Sequence, residues 1–397
     1  MALLNGVFNT TFNPEQLNAR SFAATMLRRF PGGPAPIFAL SSQVGKSRAK
    51  ASTHGYFSKT VSFISTLASS ASDVDTNLTV ASTTGMRPKL VLHNLRTGEN
   101  VKIVSVTNAT TIVVTRGYGR VAAATINNDD RLVIAGSSFE ENSVRPTAQR
   151  FATVYIANYT QIFRNAWALS DTARASMAEM GFSNITEDKN DCALMHSADI
   201  EAATIFGQPK MDTSGDMPVH ATQGIVDAIT QYAPTNITAA GSTTSYNQLI
   251  TMLEPCFAYS TDMSNATERV LFGDDQAVRV LNQIAKASGQ VTITPGTTTF
   301  GFNFTKFVFY KGTITIVIHP FLNGISTGGM ALIMDMPALK YAYMDGRDTK
   351  PEEYGTNGKT VELGTDGVGG SFTTEFAIEM INPYSCGVIT GLTSGVA

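Results

Sequence analysis

The fold is decided by the stretch Phe151-Ala-Thr-Val-Tyr-Ile-Ala-Asn-Tyr-Thr-Gln-Ile-Phe163 and by the helical pattern that follows it. This stretch mixes β-branched and aromatic residues at near-alternating spacing, which favours an extended, pleated conformation. Ser170-Asp171 then supplies an N-cap with an acidic first turn, and the next proline is Pro209, just after Gly207. The sequence therefore predicts a strand that leads into one helix of about 35 residues, on the order of 50 Å long.

A helix of that length is about three times the mean, which is typical of a scaffold rather than of an ordinary packing element. An intermittent apolar stripe runs along it, and acidic residues interrupt or flank the stripe. The predicted stripe consists of Met177, Met180, Gly181, Ile185, Cys192, Met195, Ala202 and Ile205. The acidic residues are Asp188, Asp199 and Glu201. With β structure predicted on both sides, the helix is interpreted as the spine of a shape-forming protein.

Composition indicates a protein with a surface of small polar groups. The chain has 397 residues, enough for two or three domains, and charged residues make up only 15% of it. Soluble proteins typically contain about 25% charged residues. Hydrophobic content is an ordinary 43%, so Thr, Ser, Asn, Gly and Ala replace the missing charge. Such a surface suits contacts with partners, and it equally suits a β-rich protein with many Thr and Asn turns.

Charge is unevenly distributed along the chain. Residues 1–60 carry seven basic side chains against Glu15 alone, so their net charge is +6 and that of the remainder is −9. The seven are Arg20, Arg28, Arg29, Lys46, Arg48, Lys50 and Lys59. A basic arm on an acidic body favours contact with a polyanion or with a neighbouring copy, and a solvated flexible tail is the alternative. Residues 37–60, after a Pro-rich elbow at 31–36, are predicted to be extended.

No signal for export or membrane insertion is found in the sequence. Met1-Ala-Leu-Leu-Asn-Gly6 lacks a charged region before an apolar core, and no segment approaches the ~18 apolar residues of a membrane span. The cysteines Cys192, Cys256 and Cys386 are odd in number, far apart and without metal-ligand spacing. They are interpreted as reduced, buried thiols of a cytosolic protein, and no metal or other cofactor is expected.

The rest of the pattern predicts short strands and a few capped helices. Residues 73–136 predict a small antiparallel barrel or sandwich, with a hairpin turn at Asn108-Ala109. Its strands are predicted at 77–81, 89–95, 100–107, 110–116 and 131–135. Capping boxes predict helices that begin at Asn13 and at Ser245, and a third helix is predicted at 274–287. Later strands are predicted at 302–310, 313–319, 331–336, 339–344 and 373–381.

Three motif fragments fail to complete a catalytic or nucleotide-binding site. Gly324-Ile-Ser326-Thr-Gly328 matches the nucleophile elbow of hydrolases, but the last histidine, His319, precedes it, so a loop between two strands is preferred. Gly45-Lys46-Ser47 and Gly117-Tyr-Gly119 lack the surroundings of a P-loop and of a dinucleotide fold. The five histidines lie in separate contexts, and no isolated acidic pair suggests acid–base chemistry. No enzyme is predicted.

In this order the elements resemble a tailed-bacteriophage major capsid protein of the Hong Kong 97-type fold. The chain is most similar to the branch with an Asn-Tyr-Thr-Gln-Ile-Phe block before the spine helix, here residues 158–163. The other matching segments are the elbow at 31–36, Thr97-Gly98-Glu99, Thr115-Arg116-Gly117, the strands 313–319 and 331–336 with Leu332-Ile-Met-Asp335, and Glu379-Met-Ile-Asn-Pro383. The resemblance covers essentially the whole chain.

The resemblance implies an α+β fold with four parts. These are an N-terminal arm, an extended loop called the E-loop, a peripheral domain built on the spine helix, and an axial domain. On this chain they are expected at 1–54 for the arm, 55–150 for the E-loop with a small all-β insertion at about 73–136, 151–212 and 360–397 for the peripheral domain, and 213–359 for the axial domain.

The resemblance also implies a structural protein that assembles into hexamers and pentamers of an icosahedral or prolate head around double-stranded DNA. It would be made in the host bacterial cytoplasm and reside in the virion. A portal, a separate scaffolding protein and decoration proteins are the implied partners, with non-specific DNA contact and no membrane. The seven basic residues are expected to face DNA or a neighbouring subunit. An encapsulin-like nanocompartment, a β-rich tail or adhesin protein, and a hydrolase at Ser326 are the alternatives.

Overall fold

The structure, a computed structural model, describes residues 44–59, 64–146, 148, 150, 153–175, 184–261, 267–288, 293–295, 305–325, 327–355 and 367–395. The chain divides into two compact units. The larger unit comprises Met1–Tyr56 and Tyr155–Ala397, and the smaller unit comprises Phe57–Val154. The predicted helix that begins at Asn13 lies outside the described residues.

The first ten described elements are strands, and α-helices occur only from Asp171 onward among the described residues. The strands are β1 Gly45–Ala49, β2 Thr53–Ser58, β3 Ser65–Ala68, β4 Asn77–Thr79, β5 Leu90–Asn94, β6 Asn100–Val106, β7 Thr111–Thr115, β8 Asp130–Ser137, β9 Val154–Tyr159, β10 Gln161–Ser170, β11 Lys210–Asp212, β12 Val219–Ala221, β13 Ile237–Ala239, β14 Glu268–Gly273, β15 Ile293–Pro295, β16 Thr305–Phe309, β17 Gly312–Ile318, β18 Ala331–Met334, β19 Leu339–Met344, β20 Lys350–Tyr354, β21 Gly367–Met380 and β22 Gly387–Thr390. The α-helices are α1 Asp171–Ala175, α2 Asn184–Phe206, α3 Ile225–Tyr232, α4 Tyr246–Leu253, α5 Asp275–Ser288 and α6 Pro320–Gly324.

The smaller unit is one six-stranded antiparallel sheet in the order β3-β8-β5-β6-β7-β4, and a bridge between Ala68 and Val80 brings its two ends together. Alternate residues of β5, β6 and β7 point inward, because side chains of a strand alternate between its two faces. They form an apolar core that includes Leu92, Ile103 and Ile112, all fully buried. The predicted all-β module is therefore present. Strand β3 was not predicted.

A helix-backed sheet forms one half of the larger unit. Its order is β1-β19-β21-β10, with β20 also paired to β21, and α2 packs against β10. Trp167 is buried under this helix, and the space beside its ring requires Gly370, whose added Cβ would lie 2.9 Å from the indole. Stacked rings of Phe163 and Phe376, with centroids 5.0 Å apart, extend the core along the sheet.

A seven-stranded mixed sheet forms the other half, in the order β13-β22-β18-β14-β17-β16-β15. Both of its faces are covered, which explains why β18 is apolar at every position, from Ala331 to Met334. One face packs on α5 through Val280 and Ile284, and the other packs on α3 through Ile229. The strands β22 and β13 belong to this sheet. Within the segment 360–397, which was assigned to the peripheral domain, β22 pairs in this sheet and β21 pairs in the helix-backed sheet, and the predicted domain bounds stay a prediction.

The predicted strand and the predicted start of the spine are confirmed. β10 runs to Ser170, whose Oγ accepts a hydrogen bond of 3.2 Å from the Ala173 amide, and α1 begins at Asp171. α2 ends at Phe206, directly before Gly207, as the Gly-Pro stop predicts. Residues 176–183, between α1 and α2, lie outside the described residues, so the prediction of one unbroken helix stays a prediction.

The predicted apolar stripe is correct only in part. Cys192 and Ile205 are buried and Ile185 packs against the core, but Met195 is 63% exposed. The residue buried at that turn of α2 is instead His196. Met177, Met180 and Gly181 lie outside the described residues.

Local capping signals are confirmed where the structure describes them. The Ser245 amide donates to Gln248 Oε1 at 2.9 Å, and the Gln248 amide donates to Ser245 Oγ at 3.4 Å, which forms the predicted capping box of α4. The predicted hairpin turn is present too, with the amides of Thr110 and Thr111 bonded to Asn108 Oδ1. The loop predicted around Ser326 between two strands instead follows the short helix α6, Pro320–Gly324, and precedes β18. Ser326 itself lies outside the described residues.

Candidate functional site

Two of the predicted basic contact residues, Lys46 and Arg48, lie on β1. This strand pairs in parallel with β19, so Lys46 lies beside Tyr341 and Arg48 beside Tyr343. Lys46 Nζ forms an ion pair of 2.7 Å with Asp348, and Arg48 Nε donates to the Tyr343 hydroxyl at 3.2 Å. Both side chains remain more than half exposed, at 61% and 69%. They therefore contact their own chain and still present charge to an outside partner.

The other predicted contact residues do not gather at this place. Lys50 and Lys59 are exposed, and neither forms an ion pair with any residue that the structure describes. Arg20, Arg28 and Arg29 lie outside the described residues. The structure thus brings together Lys46 and Arg48 alone, on one face of β1.

A buried hydrogen-bonded contact joins α2 to the seven-stranded sheet. Glu201, near the end of α2, lies 2.7 Å from Nε2 of His319, which follows β17, and both side chains are fully buried. His319 Nδ1 also accepts the amide of Leu322 and so caps α6. This contact was not predicted, because the two residues are 118 positions apart. The available signal was the acidic Glu201 within an otherwise apolar stripe.

Further polar contacts hold α2 against the helix-backed sheet. His196 bonds Asn165 Oδ1 through Nδ1 and Thr374 Oγ1 through Nε2, both at 2.7 Å. Burial lowers the pKa of His196 despite the nearby carboxylate of Asp199, so the ring stays neutral at pH 7. Lys189, two turns earlier, pairs with Glu353 of β20. The helix is thereby fixed to both large sheets.

The Asn-Tyr-Thr-Gln-Ile-Phe block at 158–163 supplies polar side chains to buried positions. Asn158 is buried, and its Nδ2 donates to the carbonyl of Ile378 at 2.8 Å, while its Oδ1 accepts the amide of Gln223 at 2.7 Å. Thr160 Oγ1 donates to the buried carboxylate of Glu375 at 3.0 Å. Two polar side chains of this block therefore satisfy buried groups of two distant segments, β21 and the residues before α3, because unpaired buried polar groups are strongly unfavourable.

A carboxylate beside this block anchors the start of the described chain. Glu379 Oε2 lies 3.0 Å from His54 Nε2 and accepts a hydrogen bond of 3.1 Å from Ser47. A cavity of about 20 Å³ adjoins it, and the buried hydroxyl of Tyr56, which lines the cavity, has no hydrogen-bond partner among the residues that the structure describes. Burial is also the largest cause of the raised pKa of Tyr56. The pair Ser47 and His54 fixes β1 and β2 to β21.

In the smaller unit the two turns that carry the family resemblance meet in one buried ion pair. Arg116 donates to Glu99 through Nε at 2.8 Å and Nη2 at 2.9 Å, and the amides of Gly117 and Ala124 bond the same carboxylate. Burial alone raises the pKa of Glu99, but the bonds from Arg116 and the two amides outweigh it and hold that pKa below its ordinary value. The pair closes the loops at one end of the sheet.

No group of three or more His, Cys, Asp or Glu side chains in the described part of the chain is placed to hold a metal ion. Burial raises the pKa of Cys256 to about 12 and that of Cys386 to about 11, so both thiols stay protonated. Within the same described ranges, no helix has the length and apolar character that crossing a membrane requires.

Comparison with known proteins gives matches along nearly the whole chain. The family model described as SU10 major capsid protein matches residues 6–393. The major capsid protein of Pseudomonas phage PaMx41 is 45% identical over 405 residues, covering 99% of this chain and 97% of that protein. Among solved structures, the capsid of Myoviridae phage XM1 has a TM-score of 0.48 at 9% identity, over 98% of this chain and 100% of that chain. Mycobacterium phage Adephagia has a TM-score of 0.47 at 13% identity, over 95% of both chains.

The combination of two large sheets, a long helix and a separate β module confirms the predicted α+β class. The family match and the 45% identity confirm the predicted resemblance to tailed-phage major capsid proteins. The chain belongs to the SU10 major capsid protein family.

Proposed function

We propose that this major capsid protein assembles through hexamers and pentamers into the icosahedral or prolate head that encloses the double-stranded DNA of a tailed phage. The observation that carries the proposal is the fixing of α2 to two different sheets. Glu201–His319 ties it to the seven-stranded sheet, and His196–Thr374 and Lys189–Glu353 tie it to the helix-backed sheet. A frame locked in this way suits a subunit whose shape sets the curvature of a shell.

We assign the four expected parts to this frame. The arm is placed at 1–54, the E-loop at 55–150, the peripheral domain on α2 and the helix-backed sheet, and the axial domain on the seven-stranded sheet. Sheet pairing supports moving β19 and β20 into the peripheral domain and β22 into the axial domain. The separate core of residues 57–154 supports an E-loop that carries an independent β module.

Weak polar contacts, repeated at every copy, hold the proposed shell together. The exposed charges of Lys46, Arg48, Lys50 and Lys59 support contact with DNA or with a neighbour's acidic surface, and we extend the same role to Arg20, Arg28 and Arg29 from their charge. The DNA contact is non-specific. A portal, a separate scaffolding protein and decoration proteins complete the proposed partners.

The protein acts without catalysis in this proposal and assembles in the host bacterial cytoplasm before it resides in the virion. Its buried His319 and Glu201 support this, because both are engaged with each other in packing rather than open to a substrate. His196 is likewise enclosed between Asn165 and Thr374.

Electron microscopy of the purified full-length protein, alone and with its scaffolding partner, tests the proposal. Closed shells of uniform diameter are expected. Particles recovered from infected cells should contain nuclease-protected double-stranded DNA, whereas a protein cargo in its place would indicate an encapsulin-like compartment. Oligomers of a few copies under every assembly condition would refute the proposal.

A further inference from the structure

The cavity of about 20 Å³ beside Glu379 lies where β2, α3 and β21 meet. Three of the side chains that line it come from these three elements. Tyr56 lies on β2, Tyr232 is the last residue of α3, and Glu379 lies on β21. All three belong to the larger unit, so the cavity is part of one compact body.

Each of these three side chains can form a further hydrogen bond. The Tyr56 hydroxyl is shielded from solvent and has no partner among the residues that the structure describes. The bonds of Glu379 to Ser47 and His54 both involve Oε2, which leaves Oε1 able to accept. The Tyr232 hydroxyl likewise contacts no polar group in the described part of the chain. Burial raises the pKa of both phenols, so both keep their protons at pH 7 and can donate.

Other polar side chains in the cavity wall are held by bonds of their own. Asn158 donates through Nδ2 to three acceptors and accepts two amides through Oδ1. Gln223 donates through Nε2 to Asp227 and Gln231. These bonds orient both side chains, and neither one contacts the Tyr56 hydroxyl. Because an unpaired buried hydroxyl is strongly unfavourable, the partner of Tyr56 must come from solvent.

The size of the cavity selects the ligand. A water molecule needs about 10–15 Å³ of such space and two to four polar partners. The cavity of about 20 Å³ therefore has room for a single water molecule. A hard cation such as Ca²⁺ takes six to eight oxygen ligands, whereas three free polar groups converge here, with Glu379 as their one carboxylate.

We infer that this cavity binds one water molecule, which accepts hydrogen bonds from the Tyr56 and Tyr232 hydroxyls and donates one to Glu379 Oε1. His54 and Tyr56 are two positions apart on β2 and so share a face of the strand. β2 is then attached to β21 directly through His54, and to both β21 and α3 through the water. Such a water is a structural part of the fold. The site lies within one subunit, so its occupation does not depend on assembly.

A density map of the full-length protein in which ordered waters are resolved tests the inference directly. One peak is expected within hydrogen-bond distance of both hydroxyls and of Glu379 Oε1, and the map of Tyr56→Phe should lack it. A map that shows waters elsewhere in the larger unit but none in this cavity would overturn the inference. A peak that persists in Tyr56→Phe would contradict the assigned partners.

Urea unfolding, followed by the fluorescence of Trp167 in the larger unit, distinguishes a wet cavity from a dry one by the sign of the effect. Tyr56→Phe removes a hydrogen bond to the water and should raise the unfolding equilibrium constant about fivefold. In a dry cavity the same substitution removes an unpaired buried hydroxyl, so the constant would stay equal or fall. That result would overturn the inference.

The matched control is Tyr259→Phe, because Tyr259 is 60% exposed and does not line the cavity. The control should unfold like the wild type, and a rise equal to that of Tyr56→Phe would count against the site. When Tyr56→Phe and Tyr232→Phe are combined, the rise should differ from the product of the single effects by at least about twofold, since both act on one molecule. A combined rise equal to that product would contradict a shared water.

An exchange of cations separates water from a bound ion. Replacing sodium by potassium at constant ionic strength should leave the unfolding equilibrium constant of the wild type unchanged, because water is the ligand. A change that Tyr56→Phe abolishes would identify a cation in the cavity and would overturn the inference.

Discussion

Replacing Glu99 by alanine removes the carboxylate on which four hydrogen bonds converge in the smaller unit, two from Arg116 and one each from the amides of Gly117 and Ala124. The side chains of Glu99 and Arg116 are 0% and 5% exposed. The substitution leaves a buried guanidinium without its counter-charge, which costs about 3–5 kcal/mol of unfolding free energy. For a domain of this size each kcal/mol lost from the free energy of unfolding lowers the thermal unfolding midpoint by roughly 4–8 °C. The smaller unit of the variant should therefore unfold at a temperature at least ~12 °C lower than in the wild type.

The single tryptophan provides a selective assay. Trp167 lies in the larger unit, so its fluorescence follows that unit alone, whereas far-ultraviolet circular dichroism follows both. Glu99→Ala should lower the dichroism transition of the smaller unit and leave the fluorescence transition unchanged. The control is Glu140→Ala, which removes an exposed pair with Lys89 and should leave both transitions near those of the wild type. The reasoning would be refuted if Glu99→Ala had the same dichroism midpoint as the wild type, or if the dichroism and fluorescence midpoints fell by the same amount.

Three further predictions concern acid, packing and thiols. The depressed pKa of Glu99 contributes stability above its ordinary value of 4.5 that is lost as pH falls through the folded value, so the smaller unit should weaken below about pH 4.5. Dichroism against pH should show a flatter profile for Glu99→Gln, and an unchanged profile would contradict the role of this carboxyl. Ile185→Asp puts a charge against the cluster around Trp167 and should lower the free energy of unfolding, followed by tryptophan fluorescence, by about 2 kcal/mol. An unchanged free energy of unfolding would mean that this packing is unimportant. Cys256 and Cys386 should resist a thiol-specific reagent at pH 8 until the chain unfolds, and rapid labelling of the folded protein would oppose their burial.

Elements with local chemical signals were predictable from the sequence. The Ser170-Asp171 cap, the Ser245–Gln248 capping box and the Asn108 turn are each complete within about four residues, and each is present in the structure. Strands β4 to β8 of the smaller unit were predictable for the same reason, because their alternation is short-range, whereas β3 was missed. The resemblance to a capsid protein depended on the order of these elements along the chain.

Elements without such signals were missed. α3 contains the β-branched Ile225, Val226 and Ile229, which lower helix propensity, and its N-cap Gly224 makes no side-chain bond. β22 has four residues within a Gly- and Pro-rich tail and exists because β18 and β13 lie on either side of it. Both elements form because they pack against strands that are distant in sequence, and a local pattern does not predict such packing.

The contacts that hold the spine helix in place could not be predicted from local sequence patterns either. Glu201 and His319 come together only after the chain has folded, and no pattern in the sequence around either residue predicts the contact. Met195 was assigned to the apolar stripe by its hydrophobicity, but the turn is oriented by His196, which bonds Thr374 of β21. Buried polar contacts of high sequence separation override periodicity here, because an unpaired buried group is costlier than an exposed methionine.

The mass distribution of the purified protein under assembly conditions tests the central claim most directly. Charge-detection mass spectrometry separates chains of 42.4 kDa, their capsomers and complete shells in one measurement. The account predicts a narrow population in the megadalton range with few intermediates, because each subunit gains contacts until the lattice closes. A stable population of single chains, unchanged by concentration or by addition of a scaffolding partner, would contradict it.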